Sequence, residues 1–111
     1  MKPPINLGEF EQLVLLTMLR LGSDAYGASV QAEIEGRGGR NVSISAVYTT
    51  LDRLEVKGLV CSRIGDPTPQ RGGKRKKHYE ITPAGTRALC DAYELMKRMT
   101  KGIEPLLEKA R

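Results

Sequence analysis

The sequence predicts a mainly α-helical chain with one small β-hairpin. Three observations predict it. Apolar residues recur at helical spacing in three segments before Gly58. Beyond Gly58 the period changes to two short extended runs around a Gly/Pro-rich segment. Thr82-Pro83 then opens a last helix, an N-cap threonine with proline at the first helical position.

The first helix spans Leu7 to Leu21. Phe10, Leu13, Val14, Met18 and Leu21 form one apolar face, and Leu15, Leu16 and Leu19 a second. Two apolar faces need cover on both sides, from the rest of the domain and from a partner. Gly22 stops this helix, and Ser23 or Asp24 can cap a second one from about Ala25 to Glu35, with Val30 and Ile34 facing inward. Gly36, Gly38 and Gly39 end it. Ser43 is a good N-cap for a third helix, whose inward stripe is Ile44, Val47, Leu51 and Leu54. Its other face shows Ser45, Tyr48, Thr49, Asp52 and Arg53, and Lys57-Gly58 closes it with a cation and a C-cap glycine.

Leu59 to Ile64 reads as a strand and Lys77 to Ile81 as a second, alternating one. Between them, residues 65–73 hold two prolines and three glycines, which marks a loop. The pair is therefore a hairpin with a long tip. Along the final helix Leu89, Ala92, Met96, Met99, Ile103 and Leu106 recur at alternating spacings of three and four, the seam of a coiled coil. Either this helix packs on its own domain or it pairs with a second copy. Three helices already supply a core, so a dimer seam is the preferred reading. Pro105 removes a backbone donor and should end or kink the helix near Gly102. The expected division is a body over residues 1–82 and a dimerisation helix over 83–111.

The chain has 111 residues, which argues for one small globular body with a modest core of its own. No apolar run approaches the length of a membrane span, and Met1-Lys2-Pro3-Pro4 leads into no secretory signal. The expected location is cytoplasmic. Cys61 and Cys90 are isolated, without the paired spacing of a zinc site, so no metal or cofactor is expected. The lone His78 has no nucleophile or acid partner in sequence, and Gly72-Gly73-Lys74 lacks the rest of a phosphate loop. Enzyme chemistry is not supported.

Charge is more informative by position than in total. Of 18 basic residues, Arg71, Lys74, Arg75, Lys76 and Lys77 stand together without an acid; removing them leaves 13 bases against 13 acids. The whole net charge of +5 is thus the end of the hairpin loop and the strand leaving it. Taken alone, such a run is equally a solvated loop. Its place in the order of elements decides.

Three helices, a hairpin with a basic tip and a further helix is the order of a winged helix-turn-helix with a C-terminal dimerisation helix. Such folds lay the second helix of the pair in the major groove of duplex DNA. Here that is the helix capped by Ser43. Ser45, Tyr48 and Thr49 can donate to or accept from phosphates and base edges, and Arg53 can reach a phosphate or a guanine edge. The basic wing would neutralise flanking phosphates.

The segments Leu7 to Leu15, Asp24-Ala25-Tyr26-Gly27, Val47 to Glu55, Lys57 to Val60 and Tyr79 to Gly85 resemble the PadR family of transcriptional regulators. The likeness runs from about Leu7 to Leu106 and is closest to the smaller subgroup with one short C-terminal helix. It implies a homodimeric repressor on a palindromic operator, in many members released by a small hydrophobic or aromatic effector. It also implies that Tyr26 and Tyr48 lie near the DNA backbone, although beside Gly27 Tyr26 serves equally as a capping or packing residue. Some members hold flat aromatic molecules between aromatic side chains at the dimer centre. This chain has no tryptophan, which leaves Phe10, Tyr93, Met96 and Met99 for such a site, or for plain dimer packing. The alternative function is a winged-helix interaction module whose hairpin binds an acidic protein partner.

Overall fold

The computed structural model describes residues 6–64 and 77–111. Its elements run α1 (Glu9–Leu21), a 3₁₀ turn (Gly22–Asp24), α2 (Gly27–Gly38), α3 (Ile44–Val56), β1 (Val60–Ile64), β2 (Lys77–Ile81), α4 (Pro83–Thr100) and α5 (Glu104–Lys109). The two strands are antiparallel, with Ser62 opposite Tyr79 and Arg63 opposite His78. The mainly helical chain with one hairpin is the fold class the sequence predicted. Arg71, Lys74, Arg75 and Lys76, the greater part of the expected basic wing, lie outside the described residues.

One core joins every element up to the start of α4. Val14, Leu15 and Met18 from α1 meet Val30 and Ile34 from α2 and Val47, Leu51 and Leu54 from α3. Leu59, Val60, Tyr79, Ala88 and Leu89 close it on the hairpin side. Burial of side chains this size contributes about 1.5–3 kcal/mol each and is the main force holding the helices together. Glu11 is buried among them because its carboxylate has two partners: it accepts from the Gly8 amide at 2.9 Å and from Lys57 Nζ at 2.8 Å. A buried charge without such partners would be costly. With them it ties the start of α1 to the end of α3.

The caps follow the residue types. Ser43 Oγ accepts from the Ala46 amide at 3.0 Å, and Thr82 Oγ1 accepts from the Gly85 amide at 3.1 Å. Thr82 also donates to the Gly58 carbonyl at 2.8 Å, which presses the first turn of α4 onto the turn between α3 and β1. Gly85 is required there: any Cβ at that position would overlap the Leu59 carbonyl.

The second helix differs from expectation at both ends. It starts at Gly27, with Tyr26 in the N-cap position, because residues 25 and 26 are extended. The Ala25 carbonyl accepts from the Tyr79 amide at 2.8 Å, and Tyr26 forms an isolated antiparallel bridge with His78. Backbone pairing to β2 thus takes the segment that periodicity assigned to helix. Asp24 falls in the 3₁₀ turn and Ser23 caps nothing. At the other end the helix continues through Gly36 to Gly38, supported by the Arg37–Glu33 pair at 2.8 Å and by Glu35, which accepts from the Val42 amide. Ile44, expected on the inward stripe of α3, is partly exposed, while Thr50 is buried. Leu59 stays out of β1 because its amide closes α3 on the Leu54 carbonyl. Both cysteines are exposed.

After Ala92 no residue of α4 or α5 is buried. The chain turns at Lys101–Ile103, and Pro105 lies in the first turn of α5, where its missing N–H costs nothing. The break near Gly102 is where the sequence placed it.

Candidate nucleic-acid interface

The inward face of α3 carries Val47, Thr50, Leu51 and Leu54, so the 3.6-residue period leaves Ser45, Tyr48, Thr49, Asp52 and Arg53 on one exposed face. Thirteen residues span roughly 20 Å, enough to lie along a major groove. Ser43, also exposed, uses its oxygen for the cap and keeps a hydroxyl proton to donate. Arg53 is exposed at the far end, and its charge reaches Glu11.

Tyr48 is the residue that joins this face to α2. Its ring lies directly over Gly27, so that a Cβ there would overlap Cζ, Cε1 and the hydroxyl. The ring is nonetheless 41% exposed. One side of it is packed on the start of α2 and the other is open. Gly27 is therefore a close-approach glycine, and Tyr26-Gly27 is the point where α2, α3 and the wing converge. The Tyr26 amide donates to Ser29 Oγ at 3.0 Å, and Ser29 in turn donates to the Asp24 carbonyl at 2.6 Å. This fixes the entry into α2 without using the Tyr26 side chain.

The Tyr26 and His78 rings meet edge to face, 5.7 Å apart with 63° between planes. His78 Nδ1 is buried there and has no protein hydrogen-bond partner among the described residues. Together with the Ala25–Tyr79 hydrogen bond, this contact makes residues 25–26 a short third edge of the hairpin. The wing is thereby set against the start of α2 by backbone pairing.

Lys77 begins the described part of the returning strand. Its ammonium lies 4.0 Å from Glu55 Oε1 and 5.4 Å from the centre of the Tyr79 ring. The Tyr79 hydroxyl, and beyond it Glu55 and Asp52, hold the Lys77 ammonium above the ordinary lysine range. Burial holds the Tyr79 phenol above its own range, against the pull of Lys77. Lys77 is thus turned toward α3, where acids engage it. Glu55 also accepts from the Ser62 hydroxyl, which links α3 to β1.

Of the residues expected at this interface, Tyr26, Tyr48 and the Lys77 strand are joined by direct packing, and Ser45, Thr49 and Arg53 share the open face. The residues that sequence reasoning missed are Gly27 and His78. A lone close-approach glycine and a single-residue bridge carry no periodicity, so only the tyrosines beside them gave a signal. Among the described residues no cluster of His, Cys, Asp and Glu could hold a metal ion, and no helix is long and apolar enough to cross a membrane.

The eight residues expected in a dimer seam divide in two. Leu89 is only 6% exposed and belongs to the core of the body, and Phe10 packs partly against that core. Both lie where their helices pack on the body, Phe10 in the first turn of α1 and Leu89 in the first turns of α4. Ala92 is half-buried, whereas Tyr93, Met96, Met99, Ile103 and Leu106 are exposed. Leu95 and Leu107, not in the expected seam, are exposed beside them.

Similar proteins bear on the same residues. A curated transcriptional regulator of Mycobacterium tuberculosis, Rv3488, is 31% identical over 83 residues, 73% of this chain and 71% of that protein. A PadR family transcriptional regulator from Eggerthella lenta superposes with a TM-score of 0.66 at 27% identity, covering 90% of this chain and 87% of the other. Bacillus subtilis PadR in complex with operator DNA superposes with a TM-score of 0.63 at 24% identity, over 76% of this chain and 47% of that one, a likeness of fold. The model of the transcriptional regulator PadR-like family matches residues 15–91, which include all of the buried apolar core but Val14, the polar face of α3 and the first turns of α4, and the chain belongs to that family of DNA-binding transcriptional regulators.

Proposed function

We propose that this regulator is a homodimeric repressor that binds a palindromic operator in the cytoplasm. It reads base edges with α3 and holds the flanking backbone with Tyr26 and the basic wing. The observation that carries the reading is the open polar face of α3, braced at Tyr48 and Gly27 against α2 and flanked by the strand that Tyr26 anchors. Ser45, Tyr48, Thr49 and Arg53 supply donors and acceptors to base edges and phosphates. Arg71, Lys74, Arg75 and Lys76, with the flanking Ser43, supply phosphate contacts and hence affinity and salt dependence.

The dimer rests on the second face. Tyr93, Met96 and Met99 on α4, with Ile103 and Leu106 past the turn, are apolar and exposed among the described residues. A contiguous exposed stripe of this kind marks an interface, and the three-and-four spacing suits a second copy of the same helix. A two-fold pair of recognition helices then asks for a two-fold operator. Release by a small hydrophobic or aromatic molecule at this seam, between Phe10, Tyr93, Met96 and Met99, is the regulatory part of the proposal. Its support is the exposure of Tyr93, Met96 and Met99.

Selection of bound sites from random duplex DNA tests the reading. The expected result is a motif with dyad symmetry and half-sites one helical turn apart, about 34–36 Å. Sequence-blind, salt-labile enrichment would overturn it in favour of an interaction module for an acidic partner.

A further inference from the structure

The open face of α3 has a centre line. Ser45, Thr49, Asp52 and Val56 follow one another at spacings of four, three and four, so they stack along one side of the helix, opposite the buried Val47, Leu51 and Leu54. All four are exposed, and Val56 at the end of the line is 88% exposed. Asp52 is the acid on this line, about 10 Å along the axis from Ser45. The acids nearby are engaged: Glu55 accepts from Ser62 and faces Lys77, and Glu11 accepts from Gly8 and Lys57. Asp52 has neither a hydrogen bond nor an ion pair among the described residues, and its charge reaches Lys77 and Tyr79 only at longer range.

A carboxylate in that place is repelled by every phosphate it approaches, and it can only accept. Guanine and thymine show it acceptors in the major groove. Adenine offers its N6 amino group beside the N7 acceptor, whereas cytosine offers its N4 amino group with no acceptor of its own beside it. We propose that Asp52 is a specificity-determining residue, whose carboxylate accepts from the N4 amino group of a cytosine at one position under each recognition helix. The inference rests on the reading of α3 as that helix and adds to it the base that the acid selects. At sites without this cytosine the carboxylate faces only phosphates and acceptor edges, so Asp52 discriminates chiefly by penalising wrong sites.

The test uses the full-length protein and its Asp52→Ala and Asp52→Asn variants, each selecting bound sites from random duplex DNA at one salt concentration. The native motif should hold cytosine at the position concerned. Asp52→Ala should lose that preference alone, about tenfold against the other bases, and bind random duplex no more weakly than the native protein. Asp52→Asn, the same shape without the charge, should move the preference to adenine, whose N6 and N7 an amide takes together. N4-methylcytosine at the position should weaken the native protein about tenfold and leave Asp52→Ala unaffected. A native motif that both variants reproduce at every position would overturn the proposal while the DNA-reading function stood, as would a changed preference at a base other than cytosine. A uniform loss of affinity with the motif intact would do the same, since that is what an acid acting only through Lys77 would give. Sequence-blind selection by the native protein would overturn both.

Discussion

Met96→Glu isolates the contribution of the C-terminal stripe. Met96 is 59% exposed in the protomer, and burial of a whole methionine is worth about 1.5–3 kcal/mol, so closing a dimer over it contributes about 1–2 kcal/mol per chain. Glutamate forfeits that gain and adds the cost of desolvating a polar group, about 1–3 kcal/mol even when the carboxyl is protonated. A two-fold interface contains the position twice. The dimer should therefore weaken by at least about 4 kcal/mol, roughly a thousandfold in dissociation constant. Sedimentation equilibrium over a concentration series reads this directly, while Tm extrapolated to the monomer should hold because Met96 touches no part of the core. Val56→Glu is the matched control: Val56 is 88% exposed and lies at the end of α3, outside the stripe. An unchanged dimer mass for Met96→Glu, or equal weakening by Val56→Glu, would refute the assignment of the seam.

Three further substitutions address the body and the DNA face. Gly27→Ala drives a methyl group into the Tyr48 ring and should lower stability by about 1–3 kcal/mol by denaturant titration, with the loss restored in Gly27→Ala/Tyr48→Ala; failure of that rescue would remove the contact from the account. Burial works to raise the Glu11 carboxyl, but the bonds from Lys57 and Gly8 and the charges of Lys57 and Arg53 outweigh it, so its pKa lies below the ordinary glutamate range. A lowered pKa gives stability that is present above the unfolded value and lost as pH falls through the folded one; acid unfolding below pH 4.5 should be less steep in Glu11→Gln, and an unchanged profile would count against the link. Thr49→Ala and Arg53→Ala should change the ranking of DNA sites, whereas charge reversal at Lys74, Arg75 and Lys76 should weaken all sites alike and flatten the salt dependence; an unaltered ranking would take Thr49 and Arg53 off the reading face.

Periodicity made α1, α3 and the start of α4 legible because each is an amphipathic helix with a side-chain cap or an obligatory glycine at its edge. Ser43 and Thr82 cap as their types require, and the break at Gly102 follows from Pro105. The start of α2 was not legible. Ala25 and Tyr26 continue a helical apolar pattern, and only a partner distant in sequence, the backbone of residues 78 and 79, draws them into a sheet edge. A tertiary hydrogen bond overrode a local preference there. In the site, the face of α3 could be read because it is the complement of a stripe. The role of Gly27 could not, since it depends on the position of Tyr48, twenty-one residues later. In the seam, spacing alone treated Leu89 and Met96 as equivalent; the difference is that α4 leaves the body between them.

The placement of charge has a mechanical consequence. Among the described residues the wing offers Arg63 and Lys77, and acids on α3 hold the Lys77 side chain back toward the protein. The cations that outnumber their neighbours are those before it in sequence, Arg71 to Lys76, joined to the body by a strand that the Tyr26–His78 contact fixes. Lys77 and Glu55 link the wing to α3, and on the proposed reading the run before Lys77 would supply the field that a phosphate backbone feels. That reading assigns affinity and discrimination to different segments. The link between them passes through Tyr26, Gly27 and Tyr48, so a substitution at this junction should alter affinity and site preference together, unlike a change at either end.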